Sequence, residues 1–447
     1  MTPFDAVADY VRRHSDVKQY CVAYSGGMDS HVLLLLMTQL QQESSAFELR
    51  AIHIDHGLQD ESSRWAEHAE KVCQQLEVPL LVRRVSVESD DDGPEAAARK
   101  ARYATFSETL CASEHLLLAQ HAEDQAETFL LQALRGSGLD GLSGIPKKRR
   151  FASGYMSRPL IACSQESLRE VAENNALDWI EDPSNTSEQY DRNYLRLNVM
   201  PLLLSRWPAM AQTLGRSAHR CAAASQTLLG LAQQDLDTAT IDGSAELSLS
   251  ALKELPRERA YNVLRLCVRQ RGLRMPRLQD LIQVMANLVE ASDDSHGVVN
   301  VRDYVFRRHK DRLYLLLPSA DTQPFHYDWV APFDPLEIAE TGLTLTREQC
   351  LEKGIELSPN ASVTVKSRSG GELLKMGEPA FHKAVKKILQ ESAVPPWIRD
   401  TIPLIYIDGK LAAVWGIAIS VDYQANGGSF MASPASIDDN RANHSLV

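Results

Sequence analysis

The sequence predicts an α/β chain: a doubly wound parallel sheet first, then a helical domain, then a small α+β domain. Three observations predict it. From residue 19 to about residue 119, short apolar runs alternate with helix-like segments, the rhythm of successive βαβ units. The runs at 20–24, 49–54, 80–85 and 116–119 lack polar alternation, as strands covered on both faces do. Beyond about Ser217 the rhythm gives way to alanine- and leucine-rich helical sequence, and near the end Asp408-Gly409 joins two apolar runs as a hairpin turn does.

The first strand runs through Tyr20-Cys21-Val22-Ala23-Tyr24 into Ser25-Gly26-Gly27-Met28-Asp29-Ser30, and an apolar helix-like run follows. Two glycines between hydroxyls, at a strand-to-helix turn, let backbone N–H groups approach an anion closely. Asp29 repels that anion, so the expected use of its carboxylate is to hold Mg²⁺ bridging phosphates. The loop therefore predicts a Mg-nucleotide site. It is not a Walker loop, because Gly-x₄-Gly-Lys-[Ser/Thr] occurs nowhere in the chain.

Two later strand ends carry polar groups. Asp55-His56-Gly57 is expected to shape an adenine pocket, with a metal pair to His53 or a core histidine as the other readings. His121, Asp124 and Glu127 share one face of the next helix, opposite an apolar stripe of Ala122, Ala126, Phe129, Leu130 and Ala133. Between these ends, Arg99 and Arg102 share a helix face. Arg99 suits an α-phosphate or the acceptor oxygen; a solvated basic face is the plainer reading.

Gly136-Ser137-Gly138 follows a helix rather than a strand, which marks a helix end and a flexible loop continued by the basic run Lys147-Lys148-Arg149-Arg150. Residues 257–312 hold 12 Lys/Arg against 7 Asp/Glu, and residues 366–399 hold 7 against 3. Both are basic islands in a chain of net charge −12. The expected domains are 1–215, catalytic; 216–317, helical; 318–359, a linker rich in Pro and acidic residues; 360–430, α+β; and 431–447, a disordered tail.

Length and composition limit the class. At 447 residues about three domains are expected. No apolar run approaches the ~18 residues of a membrane span, and no signal peptide is evident, which predicts a cytoplasmic protein without a membrane partner. Seven dispersed cysteines (21, 73, 111, 163, 221, 267, 350) without Cys-x-x-Cys argue against disulfides, zinc and iron–sulfur clusters.

The loop 25–30 is similar to the pyrophosphate loop of N-type ATP pyrophosphatases, the PP-loop superfamily. With it stand Asp55-His56-Gly57-Leu58-Gln59, Glu95-Ala96-Ala97-Ala98-Arg99, His121-x-x-Asp124-Gln125-Ala126-Glu127-Thr128, Trp179-x-Glu181-Asp182-x-Ser184-Asn185, Arg192-Asn193-x-x-Arg196 and Pro395-Pro396-Trp397-x-Arg399. Together they resemble the tRNA(Ile)-lysidine synthetase family, with one departure: Gln120 stands where that family often has a second histidine.

The resemblance implies an N-type ATP pyrophosphatase domain that uses ATP and Mg²⁺. Its partners would be L-lysine and tRNA(Ile) with a CAU anticodon, with a homodimer left open. The cytidine oxygen would attack the α-phosphorus, then the lysine amine would displace AMP to give lysidine, changing decoding from AUG to AUA and identity from Met to Ile. Ser25, Gly26, Gly27, Met28, Asp29, Ser30, Asp55 and His56 would bind nucleotide, Asp29 also the metal. Asp29, Arg99, His121, Asp124, Glu127 and Arg196 would be catalytic. Asp124 and Glu127 would hold lysine, His121 would accept a proton, and Arg99 or Arg196 would meet the α-phosphate. Deprotonating a lysine of pKa ~10.4 at pH 7 costs roughly 4.6 kcal/mol, so some help is required. The two basic islands become tRNA surfaces. Alternatives are another PP-loop tRNA-modifying enzyme such as a thiolase, an amide-forming relative such as an NAD synthetase, and an ATP-sensing RNA-binding module without turnover.

Overall fold

The computed structural model describes residues 2–44, 46–55, 62–85, 94–181, 187–241, 246–292, 297–317, 323–346, 353–355, 361–377 and 379–426. His56 and the segment 431–447 lie outside them. The chain divides into two compact units, Met1–Thr227 and Leu228–Val447.

The first unit is built on a six-stranded sheet. Its strands are β1 (Gln19–Ala23), β2 (Glu48–Asp55), β3 (Leu80–Arg84), β4 (His115–Leu117), β5 (Lys148–Phe151) and β6 (Gly154–Ser157), in the order β3-β2-β1-β4-β6-β5. All neighbours pair in parallel except β5 with β6. Apolar side chains fill both faces. Val22, Val32, Leu33, Met37 and Leu117 belong to one core; Cys21, Ile52, Phe106, Leu116 and Met156 belong to the other. Continuous apolar runs are what such two-sided burial requires, and the expected parallel doubly wound sheet is observed.

The strand order reverses direction between β1 and β4, so the loops leaving their carboxyl ends diverge and open a crevice. Helix α2 (Met28–Ser44) starts on the loop after β1, and α5 (Ala122–Leu134) starts just after β4. Helices α1 (Pro3–Arg13), α3 (Ser62–Gln75) and α4 (Pro94–Thr109) complete the order in the sequence. Gly136, at φ +69°, ends the α5 region as the glycine-rich passage predicts. The basic run 147–150 is not loop: Lys148–Phe151 is an edge strand whose charged side chains point to solvent, a placement an edge tolerates.

His115 on β4 is buried, with Nδ1 2.6 Å from the Tyr10 hydroxyl. Burial, with added repulsion from Lys148 and His14, pulls its pKa from 6.5 down to about 4. The unfolded chain therefore binds a proton in that window which the folded chain refuses, so stability present above the window is lost as pH falls through it. Acidifying from about pH 7 to about pH 5 should cost the parent protein about 2 kcal/mol more than His115→Gln, read from denaturation midpoints. Equal losses would count against this reading.

The second unit holds two cores. One packs Leu249, Leu264, Val284, Leu288, Tyr304 and Phe306, and includes a four-stranded antiparallel sheet formed by Leu247–Ser248, Arg312–Leu316, Tyr304–His309 and Val298–Val301. The expected helical domain is thus a mixed one. The other core gathers Trp329, Phe333, Ile338 and Leu345 with Val365, Leu404 and Val414. This corrects the linker reading of 318–359, because apolar side chains from 325–345 are buried beside those of the final domain. Asp408 (φ +47°) and Gly409 (φ +77°) turn Leu404–Ile407 back on Lys410–Val414, as a type I′ hairpin demands. No helix of the described residues is long and apolar enough to cross a membrane.

Candidate active site

The loop after β1 is held by its own hydroxyls. Ser25 N–H donates to Ser30 Oγ (3.2 Å), Ser30 Oγ donates to the Gly27 carbonyl (2.9 Å), and Gly27 N–H donates to Ser25 Oγ (3.3 Å). Gly26 sits at φ +87°, where a side chain is strained, and a Cβ on Gly27 would lie 3.4 Å from Ser25 Oγ. Met28 is buried and begins α2. A second segment buttresses the turn: Ile180 N–H donates to the Gly26 carbonyl (3.0 Å), and His31 Nδ1 lies 3.0 Å from the Asp178 carbonyl. The Trp179-x-Glu181 motif therefore supports the loop through its backbone.

Asp29, the second residue of α2, lines the crevice. Its Oδ1 is buried without a hydrogen-bond partner, whereas its Oδ2 lies 3.6 Å from His121 Nε2. An unpartnered carboxylate oxygen in a folded protein needs a donor or a cation. That oxygen, the open glycine turn and the N-terminus of α2 together fit a magnesium-bound triphosphate.

Across the crevice, α5 brings the predicted acidic face to the same place. His121 caps the helix and is buried, with Nδ1 2.9 Å from Glu123 Oε2 and Nε2 3.5 Å from Asp124 Oδ2. Burial works against its charge, but the bonds to Asp29 and Glu123 and the charge of Asp124 outweigh it and push its pKa up to about 10. The three surrounding carboxylates thus favour the charged form of His121, the form that donates from both ring nitrogens. The ring joins Asp29 to Asp124. Burial would raise the Asp124 carboxyl, yet His121 and then Arg192 and Arg196 hold it below its usual range.

Asp124 and Glu127 are already engaged. Arg192 Nη2 donates to Asp124 Oδ1 (2.9 Å) and its Nε to Glu127 Oε2 (2.8 Å). Arg196 Nε donates to Glu127 Oε1 (2.7 Å), and its Nη2 lies 3.0 Å from Oε2 and 3.3 Å from Asp124 Oδ1. The Glu127 side chain is only 2% exposed. Burial disfavours the Arg196 charge, but the Glu127 bond raises its pKa overall. Arg196 and Glu127, 69 residues apart, pair here although nothing in their spacing announces it.

A cleft of about 330 Å³ is lined by Ser25, Asp29, Ser30, Arg99, Gln120 and Asp124, among others. Arg99 stands at its wall with the guanidinium 4.9 Å over the Tyr103 ring. Gln120, the departure from the family pattern, accepts from buried Arg158 Nε, and Arg158 also donates to the Pro146 carbonyl (2.9 Å). A neutral amide suits that neighbour better than an imidazole able to charge. Asp55 is buried and paired with Arg84 (3.2 Å), so its side chain braces β2 to β3. His53 Nδ1 donates to the Tyr24 carbonyl (3.0 Å), and burial pushes its pKa down.

Comparison with known proteins adds independent findings. A PP-loop domain matches residues 5–203, a TilS substrate binding domain residues 247–314, and a TilS substrate C-terminal domain residues 363–432. The tRNA(Ile)-lysidine synthase of Coxiella burnetii is 39% identical over 412 residues, 91% of each chain. That of Methylococcus capsulatus is 39% identical over 407 residues, 89% of this chain and 91% of its own. Among solved structures, the U34-tRNA thiolase NcsA from Methanococcus maripaludis aligns at TM-score 0.39 and 17% identity, covering 46% of this chain and 72% of that one, too loosely to bear on function. On the identity and coverage of its relatives, the chain belongs to the tRNA(Ile)-lysidine synthase family.

Proposed function

We propose that this chain is a cytoplasmic ligase that joins the ε-amine of L-lysine to C2 of the first anticodon cytidine of tRNA(Ile) bearing CAU, using MgATP. The observation that carries the reading is one crevice in which the Asp29 turn and the Asp124–Glu127–arginine cluster meet through His121. In the first step the cytidine O2 attacks the α-phosphorus, and the bond to pyrophosphate breaks. In the second, the lysine amine attacks C2 and the C2–O bond to AMP breaks. Bound Mg²⁺ would supply charge compensation for the phosphates, and Asp29 is the residue to hold it; one carboxylate plus substrate phosphates is the usual manner for this ion.

The chain's own groups divide the remaining work. Backbone N–H groups of the loop 25–30 receive the pyrophosphate. Arg99 or Arg196 offsets negative charge at the α-phosphorus. Asp124 and Glu127 orient the lysine. Because Arg192 and Arg196 already neutralise that carboxylate pair, the bound amine feels less pull toward the ammonium form than bare carboxylates would exert. The thiolase reading asks for a reactive cysteine at the site; among the described residues the cleft lining contains none.

The segments 216–317 and 360–430 serve as tRNA surfaces whose phosphate contacts weaken with salt. The reading is tested by incubating purified protein with MgATP, labelled lysine and tRNA. Lysine label should enter tRNA only when the anticodon is CAU, with one AMP and one pyrophosphate per lysine. AMP formation without label transfer would sink it.

A further inference from the structure

Residues 192–220 contain five arginines and no acidic residue, within a chain of net charge −12. This third basic stretch lies in the first unit, outside both islands found by counting charge, and two of its arginines belong to the active site. The helical segment 191–206 packs Leu195 and Met200 inward, and Met200 joins Ala122 and Ala126 of α5 in a small core. Its outer side is unusual for a soluble surface. Tyr194 is 51% exposed, Leu202 72% and Trp207, at the corner before the next helix, 58%. Leu134, at the end of α5, is 75% exposed, and its neighbour Arg135 lies 3.7 Å from Asp191 at the start of the same segment. Apolar side chains grouped this way mark a surface that another molecule covers.

We propose that this face seats the unpaired bases of the anticodon loop, an inference that rests on the proposed function. Tyr194 and Trp207 offer rings on which splayed bases stack, and Leu202 and Leu134 fill the space beside them. Exposed Arg206, Arg216 and Arg220 follow the phosphates. Charge complementarity selects RNA over a second copy of this chain: Arg192 and Arg196 are matched by Asp124 and Glu127, but two such faces would still bring the six exposed arginines at 206, 216 and 220 together without a carboxylate from 192–220. Continuity with Arg192 and Arg196 then places a stacked loop beside the cluster that meets Asp29.

The test uses the full chain and two RNAs of equal length, a hairpin with a CAU-containing loop and a fully paired duplex, with affinity read by fluorescence anisotropy. Tyr194→Ala and Trp207→Ala should each weaken the hairpin about 10-fold or more, leave the duplex unchanged, and leave ATP binding at the parent value; Trp207→Phe should stay near parent affinity. Arg206→Gln should lower the salt slope for the hairpin by about one. Unchanged hairpin affinity in both alanine variants, equal losses for hairpin and duplex, or a homodimer dissociated by Leu202→Glu would overturn the assignment. If the parent protein transfers lysine but these variants bind normally, only this surface fails; if hairpin binding falls as expected while the parent transfers no lysine, the functional reading fails instead.

Discussion

Asp29→Asn should slow pyrophosphate release from ATP by about 10³-fold while leaving the chain folded with its thermal midpoint nearly unchanged. The two halves of that expectation come from the two oxygens of one side chain. Oδ1 is buried without a partner, so the folded protein loses no bond of that oxygen when its charge is removed. Oδ2 is 3.6 Å from His121, too long for a strong hydrogen bond; what goes there is one of three carboxylate charges around that ring, and Glu123 and Asp124 remain to hold it. What disappears is the negative charge able to hold a divalent cation against the phosphates. A parent-like rate of pyrophosphate release in the variant would remove Asp29 from the chemistry, whatever its stability.

Glu127→Gln should behave differently, with folding and turnover failing together. The Glu127 carboxylate is almost wholly buried and accepts from both Arg192 and Arg196. A neutral amide in its place leaves two guanidinium groups sharing Asp124, and breaking a buried ion pair from one side costs about 3–5 kcal/mol. Since Arg192 and Arg196 are partly exposed, the lower end of that range is expected. Chemical denaturation should therefore show a loss of about 3 kcal/mol, and lysine transfer should fall at least 10²-fold under conditions where the variant is still folded. Lost transfer with unchanged stability would mean that the arginine contacts of Glu127 are incidental to folding and that its part in holding the lysine stands alone.

The contrast between these residues bears on what the sequence discloses. Asp29 was legible because a phosphate turn is local: a strand, two glycines, hydroxyls and a helix start within a dozen residues. The four parallel strands were legible for a related reason, since burial on both faces imposes continuous apolar runs. The pairing of Asp124 and Glu127 with Arg192 and Arg196 was not, because it joins residues 65 to 72 apart and no spacing rule spans that distance. Likewise the upward pull on the His121 pKa arises from three carboxylates delivered by two different elements, which a count along one helix face misses.

Other misreadings have equally particular causes. Lys148–Phe151 reads as a basic loop because an edge strand exposes its side chains. The strands Leu336–Ile338 and Leu343–Leu345 are three residues each, too short for an alternating pattern to register among prolines and acidic residues. The arginine stretch 192–220 was countable from the outset, yet its aromatic and apolar companions gain meaning only once their exposure is known.

The most direct test of the central claim follows one oxygen atom. tRNA(Ile) carrying ¹⁸O at the C2 oxygen of the first anticodon cytidine is allowed one turnover with MgATP and lysine, and the AMP is collected for mass spectrometry. If that oxygen attacks the α-phosphorus and leaves with it, the AMP carries the ¹⁸O. AMP free of the isotope, beside lysine-bearing tRNA, would contradict activation of the cytidine and with it the role given to the crevice around Asp29.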